Sequence, residues 1–141
     1  MKGLIVDSNV ILDIFLDDPD WADWSEAQLA AYSGKTTLYI NSIVYAEVSI
    51  GFKKIEELES ALFRCGFKML EIPKEALFLA GKAYLNYRKE KGTKKSPLPD
   101  FYIGAQAAVL DLPLITRDAG RYRTYFPTVS LICPESNKII N

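Results

Sequence analysis

GLIVDSNVILD, residues Gly3 to Asp13, decides how this chain folds. The run Leu4-Ile5-Val6 is too short and too uniformly apolar for a surface strand with alternating faces, so it predicts a central parallel strand covered on both sides. Asp7 ends that strand. Ser8 and Asn9 are good N-cap types, and Val10, Ile11, Ile14 and Phe15 recur at helical spacing, so a helix follows directly. In open α/β sheets the carboxyl ends of the strands face the binding crevice, which makes Asp7 a candidate site residue. The other reading is that it only caps the first helix.

Strands and helices then alternate along the chain. Asp17-Asp18-Pro19-Asp20 forms a turn, and Trp21, Trp24, Ala27 and Ala31 mark a second helix ended by Ser33-Gly34. A short strand, Thr37 to Ile40, leads into an apolar helix from Ile43 to Ile50. Glu47 falls on the Ile43/Ile50 stripe of that helix, where a carboxylate is paired, protonated, metal-bound or at the stripe's margin with its head in water. Ile55, Leu58, Leu62 and Cys65 line the next helix, and Phe67 to Ile72 reads as a third strand. Leu77, Ala80, Tyr84 and Tyr87 mark the buried side of a long helix reaching about Glu90. From Lys82 to Lys95 the bases outnumber the single acid Glu90. That stretch, with Lys89, Lys91, Lys94 and Lys95, is either a solvated face or a phosphate-contacting patch interleaved with Tyr84 and Tyr87. After a loop, Asp100 opens a nearly apolar helix, FYIGAQAAVL, that has to be buried. Leu114-Ile115-Thr116 is another central strand, ending at Arg117 and Asp118, and Val129 to Ile132 is the last. Arg117, Arg121 and Arg123 are either backbone contacts to a nucleic acid or ordinary surface residues.

Composition narrows the chemistry. The 141 residues fit a single domain, 1–141, long enough for one well-formed core. Seventeen Lys plus Arg against eighteen Asp plus Glu leave a formal charge of -1, so no global field steers the molecule to nucleic acid or membrane and any such binding is local. No signal-like leader opens the sequence and no apolar run approaches a membrane span, so a cytoplasmic location is expected. Cys65 and Cys133 are expected to be buried thiols. The chain has no histidine, which excludes nucleophile-His catalysis and His-ligated zinc. Carboxylates remain.

Alternating strands and helices imply a parallel sheet with helices on both faces. Asp7 and Asp118 then lie at one sheet edge, each after a buried strand, and Glu47 and Asp100 lie near the starts of helices that leave that edge. Four ionised carboxylates within ~5 Å of one another repel by roughly 3 kcal/mol per pair at an effective dielectric of 20. Such a cluster needs cations or protons. All-oxygen ligands point to Mg²⁺ or Mn²⁺, which suit phosphodiester hydrolysis.

In LIVDSNVILD around Asp7, INSIVYAEVSIG around Glu47, LPDFYIGAQAAVLDLPLITRD around Asp100 and Asp118, and the aromatic Tyr122 four residues on, the sequence resembles the PIN-domain nucleases, and among them the VapC-type toxins of toxin-antitoxin pairs. The resemblance implies a PIN-like three-layer α/β sandwich with a central parallel sheet of four or five strands. It implies a divalent-metal-dependent endoribonuclease using one or two Mg²⁺ or Mn²⁺ ions. Asp7, Glu47, Asp100 and Asp118 fall on its acidic catalytic and metal-binding positions, with Ser8 and Thr116 as supporting hydroxyls. RNA as substrate, a cognate antitoxin and a homodimer are also implied. Two other readings stand beside it: a housekeeping PIN nuclease of RNA maturation or decay, and a non-catalytic protein-binding module with a degenerate acidic site. An aspartyl-phosphate enzyme also starts from a strand-end Asp, but Asn9 stands where such phosphatases place a second Asp.

Overall fold

The computed structural model describes residues 2–90, 92–93 and 98–134. Strand β1 (Gly3–Val6) is buried at all four positions. Because successive strand residues face opposite sides, the sheet is covered on both faces there. β1 pairs in parallel with β2 (Thr37–Ile40), Ile5 opposite Tyr39, and on its other side with β4 (Leu114–Ile115), Ile5 opposite Leu114. β3 (Lys68–Met69) extends the sheet beyond β2, and β5 (Leu131–Ile132) beyond β4. The result is an all-parallel five-stranded sheet in the order β3-β2-β1-β4-β5, the expected α/β architecture at the upper of the two strand counts. The chain winds outward from β1 in one direction, then returns to β1's free side. That reversal puts the switch point, where α/β sheets open their crevice, between the carboxyl ends of β1 and β4.

Helices α1 (Ser8–Phe15), α2 (Ala22–Tyr32), α3 (Ser42–Val48), α4 (Ile55–Arg64), α5 (Lys74–Lys89), α6 (Pro99–Leu110) and α7 (Gly120–Tyr125) connect and cover the strands. α3 ends earlier than its apolar pattern suggests and tightens into a 3-10 turn, Ser49–Gly51, which leaves Ile50 82% exposed. The third and last strands are also shorter than expected. Both sit at sheet edges, where one flank has no partner, and at β3 Lys68 and Met69 are exposed.

Two expected buried faces shift. On α4 the inward residues are Leu58, Ala61 and Leu62, while Ile55 is exposed and Cys65 half-buried, so only Cys133 is a fully buried thiol. On α5 the buried residues are Ala76, Ala80 and Ala83, and Leu77 and Phe78 face outward. Three alanines on one stripe let α5 lie close along α6, which larger side chains would prevent.

α6 is the helix that sets the site, and a polar side chain fixes its position. Gln106, fully buried, accepts from Asn41 Nδ2 at 2.7 Å and donates to the Leu70 and Glu71 carbonyls at 3.1 and 3.0 Å. Asn41 in turn caps α3 by accepting from the Val44 amide at 2.8 Å. One amide network therefore ties α6 to the carboxyl ends of β2 and β3 and to the start of α3. At Gly104 a Cβ would run into the Phe126 ring, so the glycine allows that ring, and with it the end of α7, to press onto α6.

Candidate active site

Asp7 caps the first helix and also lines a pocket at the strand ends. Its Oδ1 accepts from the Ser8 amide at 2.7 Å at the start of α1, while Oδ2 accepts from the Tyr122 hydroxyl at 2.8 Å and the Thr116 hydroxyl at 2.9 Å. Thr116 closes β4, so two strand ends at the switch point meet through this bond. The carboxyl group is only 6% exposed. Burial pushes its pKa up to about 6, against the pull of the hydrogen bonds from Tyr122, Thr116 and Ser8, and the charge of Glu47 adds to the rise. Tyr122 is itself buried, and burial with the adjacent Asp7 charge holds its phenol well above the usual range, so it stays a donor.

Glu47, on the second turn of α3, is half-buried and accepts from the Ser8 hydroxyl at 2.8 Å. It lies at the margin of its stripe, facing α1 rather than the core. Asp100 does not cap α6. Leu98 holds the cap position and Pro99 the first turn, and the Asp100 charge gains from the positive end of the helix dipole. Its Oδ2 pairs with Arg121 Nη1 at 3.0 Å. Asp118 is exposed; its backbone amide donates to the Thr116 hydroxyl at 3.2 Å. All four acids line one pocket of about 300 Å³, with Ser8, Asn9, Arg121 and Tyr122 in its wall.

The expected mutual repulsion of four carboxylates is largely averted. Burial is the main cause of the Asp7 shift, Arg121 neutralises Asp100, and water surrounds Asp118. The donors are hard oxygens of the kind that bind Mg²⁺ or Mn²⁺, and a buried carboxyl that ionises reluctantly gains from a cation, so the donor set fits such an ion. In the arrangement seen, no group of three carboxylates is close enough to hold one ion among the described residues. Asp100 is turned to Arg121 instead.

The arginines divide by role. Arg117 is taken up by the buried Asp13 on α1, its Nε at 2.8 Å from Oδ2, which also accepts from the Ser25 hydroxyl at 2.8 Å. Its guanidinium lies 5.7 Å from the centre of the Trp21 ring. This cluster locks α1, α2 and the β4–α7 turn together, and its centre, Asp13, is a residue the sequence reading misses. The signal is present: Asp13 follows Val10 by three residues on α1's apolar stripe, as Glu47 follows its own. Arg123 donates to Cys133 Sγ at 3.4 Å, and Arg121 alone of the three stands in the acidic pocket. Lys89 is exposed near the end of α5, whereas Lys91, Lys94 and Lys95 lie outside the described residues.

No helix among the described residues is long and apolar enough to cross a membrane. No curated protein matches the chain in sequence. Among solved structures, VapBC2 from Rickettsia felis bound to a promoter DNA fragment is similar to it, with a TM-score of 0.71 and 19% identity over 93% of this chain and 98% of that one. A toxin-antitoxin complex from Klebsiella pneumoniae is similar at a TM-score of 0.61 and 24% identity over 89% and 94%. FitAcB from Neisseria gonorrhoeae is similar at 0.67 and 22% over 92% and 96%. At these identities the likeness is one of fold. The sequence profile of the PIN domain matches residues 4–127, from β1 through the end of α7, and the chain therefore belongs to the PIN domain family.

Proposed function

We propose that this protein is a divalent-metal-dependent endoribonuclease and the toxin of a toxin-antitoxin pair. The observation that carries the reading is the pocket itself, in which Asp7, Glu47, Asp100 and Asp118 meet at the switch point of a parallel sheet. PIN domains are generally nucleases, and the similar folds include a toxin-antitoxin complex.

Asp7, Glu47 and Asp100 would hold one or two Mg²⁺ or Mn²⁺ ions, with Asp118 assisting from the open side. Such an ion supplies Lewis-acid polarisation of the phosphate and a lowered pKa for water. The chain's own residues prepare the site. Tyr122 and Thr116 fix the rotamer of Asp7 by donating to one oxygen, and Ser8 fixes Glu47. Ser8 donates to Glu47, the carboxylate this reading assigns to the metal, and the chain lacks histidine, so its hydroxyl would orient Glu47 rather than attack. Lys89, with Lys91, Lys94 and Lys95, would track the RNA backbone, and a cognate antitoxin would cover the pocket. A homodimer fits the same reading.

RNA cleavage with Mn²⁺ by the parent, Asp7→Asn and Asp100→Asn proteins tests the catalytic part. Cleavage lost in both variants with melting transitions retained is expected, and full activity in either refutes it. Arrest of growth on expression, relieved by the adjacent small protein, tests the toxin part; without it a housekeeping PIN nuclease is the better reading. The Arg121–Asp100 pair specifically favours a second reading, a protein-binding module with a degenerate site. Failure of Mn²⁺ to raise the melting temperature would select that one.

A further inference from the structure

Beside the acidic pocket lies a second, open cavity of about 350 Å³ with Tyr87, Tyr125, Thr124 and Gly120 in its wall. Asp100, Asp118 and Arg121 belong to both, so the two are continuous across three side chains. The aromatic wall is anchored. Tyr125 and Tyr87 pack edge-on against Phe101 at 5.4 and 5.6 Å between ring centres, and Phe101 is fully buried. Arg121 stands between the cavities with its guanidinium 5.7 Å from the Tyr87 ring centre, and one of its five N–H groups goes to Asp100.

We propose that this cavity takes the base of the nucleotide next to the scissile phosphate, stacked on Tyr125, and that Arg121 turns from Asp100 to grip the phosphate between the cavities. The inference rests on the nuclease reading and gives it a substrate subsite.

Three features support this occupant. A volume near the lower end for ligand sites, about 300–1,000 Å³, admits one nucleotide unit rather than a helix or a duplex. Aromatic rings beside a phosphate-seeking cation are the pairing that single-stranded nucleic acid uses, since every base offers a π-face and every linkage a charge. The planar guanidinium fork matches two non-bridging oxygens in a way a lysine would not. Stacking tolerates any base, so the subsite adds grip and register, not sequence preference. Tyr87 is followed on α5 by Arg88 and Lys89, and the Tyr125 hydroxyl donates to Glu90 Oε2 at 3.3 Å just past that helix.

The test uses the full chain in EDTA, where metal-dependent cleavage is off, with a single-stranded hexanucleotide RNA carrying 2-aminopurine. Tyr125→Phe keeps the ring and should bind like the parent with the same fluorescence quenching. Tyr125→Leu keeps apolar packing on Phe101 but not the stack. It should bind about fivefold to a hundredfold more weakly and quench less. Arg121→Gln, which removes the charge at a partly exposed pair, should flatten the slope of log affinity against log salt by about 0.7, with its melting transition checked alongside. Equal binding by the Phe and Leu variants, an unchanged slope in Arg121→Gln, or no binding by the parent would each overturn the subsite. Mn²⁺-dependent cleavage by the parent is measured separately. Cleavage without a Tyr125 or Arg121 effect removes the subsite alone, and binding with those effects but no cleavage removes the nuclease reading alone.

Discussion

Asp7→Asn separates the electrostatics of the site from its chemistry. With a folded pKa of about 6 against an ordinary value of 3.8, the ionised carboxylate costs the metal-free fold roughly 3 kcal/mol at neutral pH. The folded protein holds the Asp7 proton more tightly than the unfolded chain does. This group's contribution to stability is therefore fully present below about pH 4 and is lost as pH rises through about 6. Asparagine carries no charge, so the penalty disappears. Its carbonyl can still accept from Tyr122 and Thr116, but its amide then faces the Ser8 amide, and the lost cap costs about 1 kcal/mol. The net gain is about 2 kcal/mol at pH 7.5, or about 6 °C in melting temperature for a chain of this size. The gain shrinks as pH falls through 6, and below about pH 4.5 the order reverses, so the variant should there melt slightly lower than the parent. Thermal melts of both proteins in EDTA from about pH 3.5 to 8 read the difference directly. A difference that does not change with pH would refute burial as the controlling influence on Asp7. With Mn²⁺ at a hundred times its dissociation constant the parent should gain about 2.7 kcal/mol and the variant little.

The remaining expectations concern the frame. Arg117→Ala strands the buried Asp13 with only Ser25 for a partner and should destabilise by about 3 kcal/mol in urea unfolding, more than a surface ion pair allows. Gln106→Leu leaves Asn41 Nδ2 and the Leu70 and Glu71 carbonyls without this partner and should cost roughly 2 kcal/mol or more, measured the same way. Arg121→Gln should leave the melting temperature within about 2 °C of the parent's, because its pair with Asp100 is solvent-exposed, yet bind Mn²⁺ more tightly in a calorimetric titration.

The first strand and the acid that ends it could be read from eleven residues because both signals are local. An apolar triplet followed by Asp and cap residues has few other ways to fold. The same holds for Glu47, whose half-buried margin position follows from helical spacing within α3. What stayed hidden depends on two elements meeting. Arg121 reaches Asp100 across 21 residues only because Gly104 lets α7 press on α6 through Phe126. The true buried stripe of α5, Ala76, Ala80 and Ala83, outranks the larger Leu77 because the helix packs against α6 at close range, where small volume counts for more than hydrophobicity. Gln106 broke an apolar run without explanation until Asn41 and two carbonyls supplied its partners.

The way the acids are accommodated bears on how the site works. Each stands under a separate influence: Asp7 under burial, which penalises its charge, Asp100 under Arg121, Asp118 under water, and Glu47 under the Ser8 hydroxyl. A cation drawn to the pocket would reverse the first two, favouring ionised Asp7 and competing with Arg121 for Asp100. Phosphate drawn to Arg121 pulls in the same direction, since it removes the cation's competitor. An inhibitory partner of the kind proposed would have the opposite task. It needs only to supply a positive group that stays with the carboxylates, and an arginine side chain does so with bidentate geometry and no open position for water. Blocking the pocket and displacing the ion are then one event. An antitoxin acting this way should be dislodged by raising Mn²⁺, whereas one that covers the pocket without entering it should be indifferent to the ion.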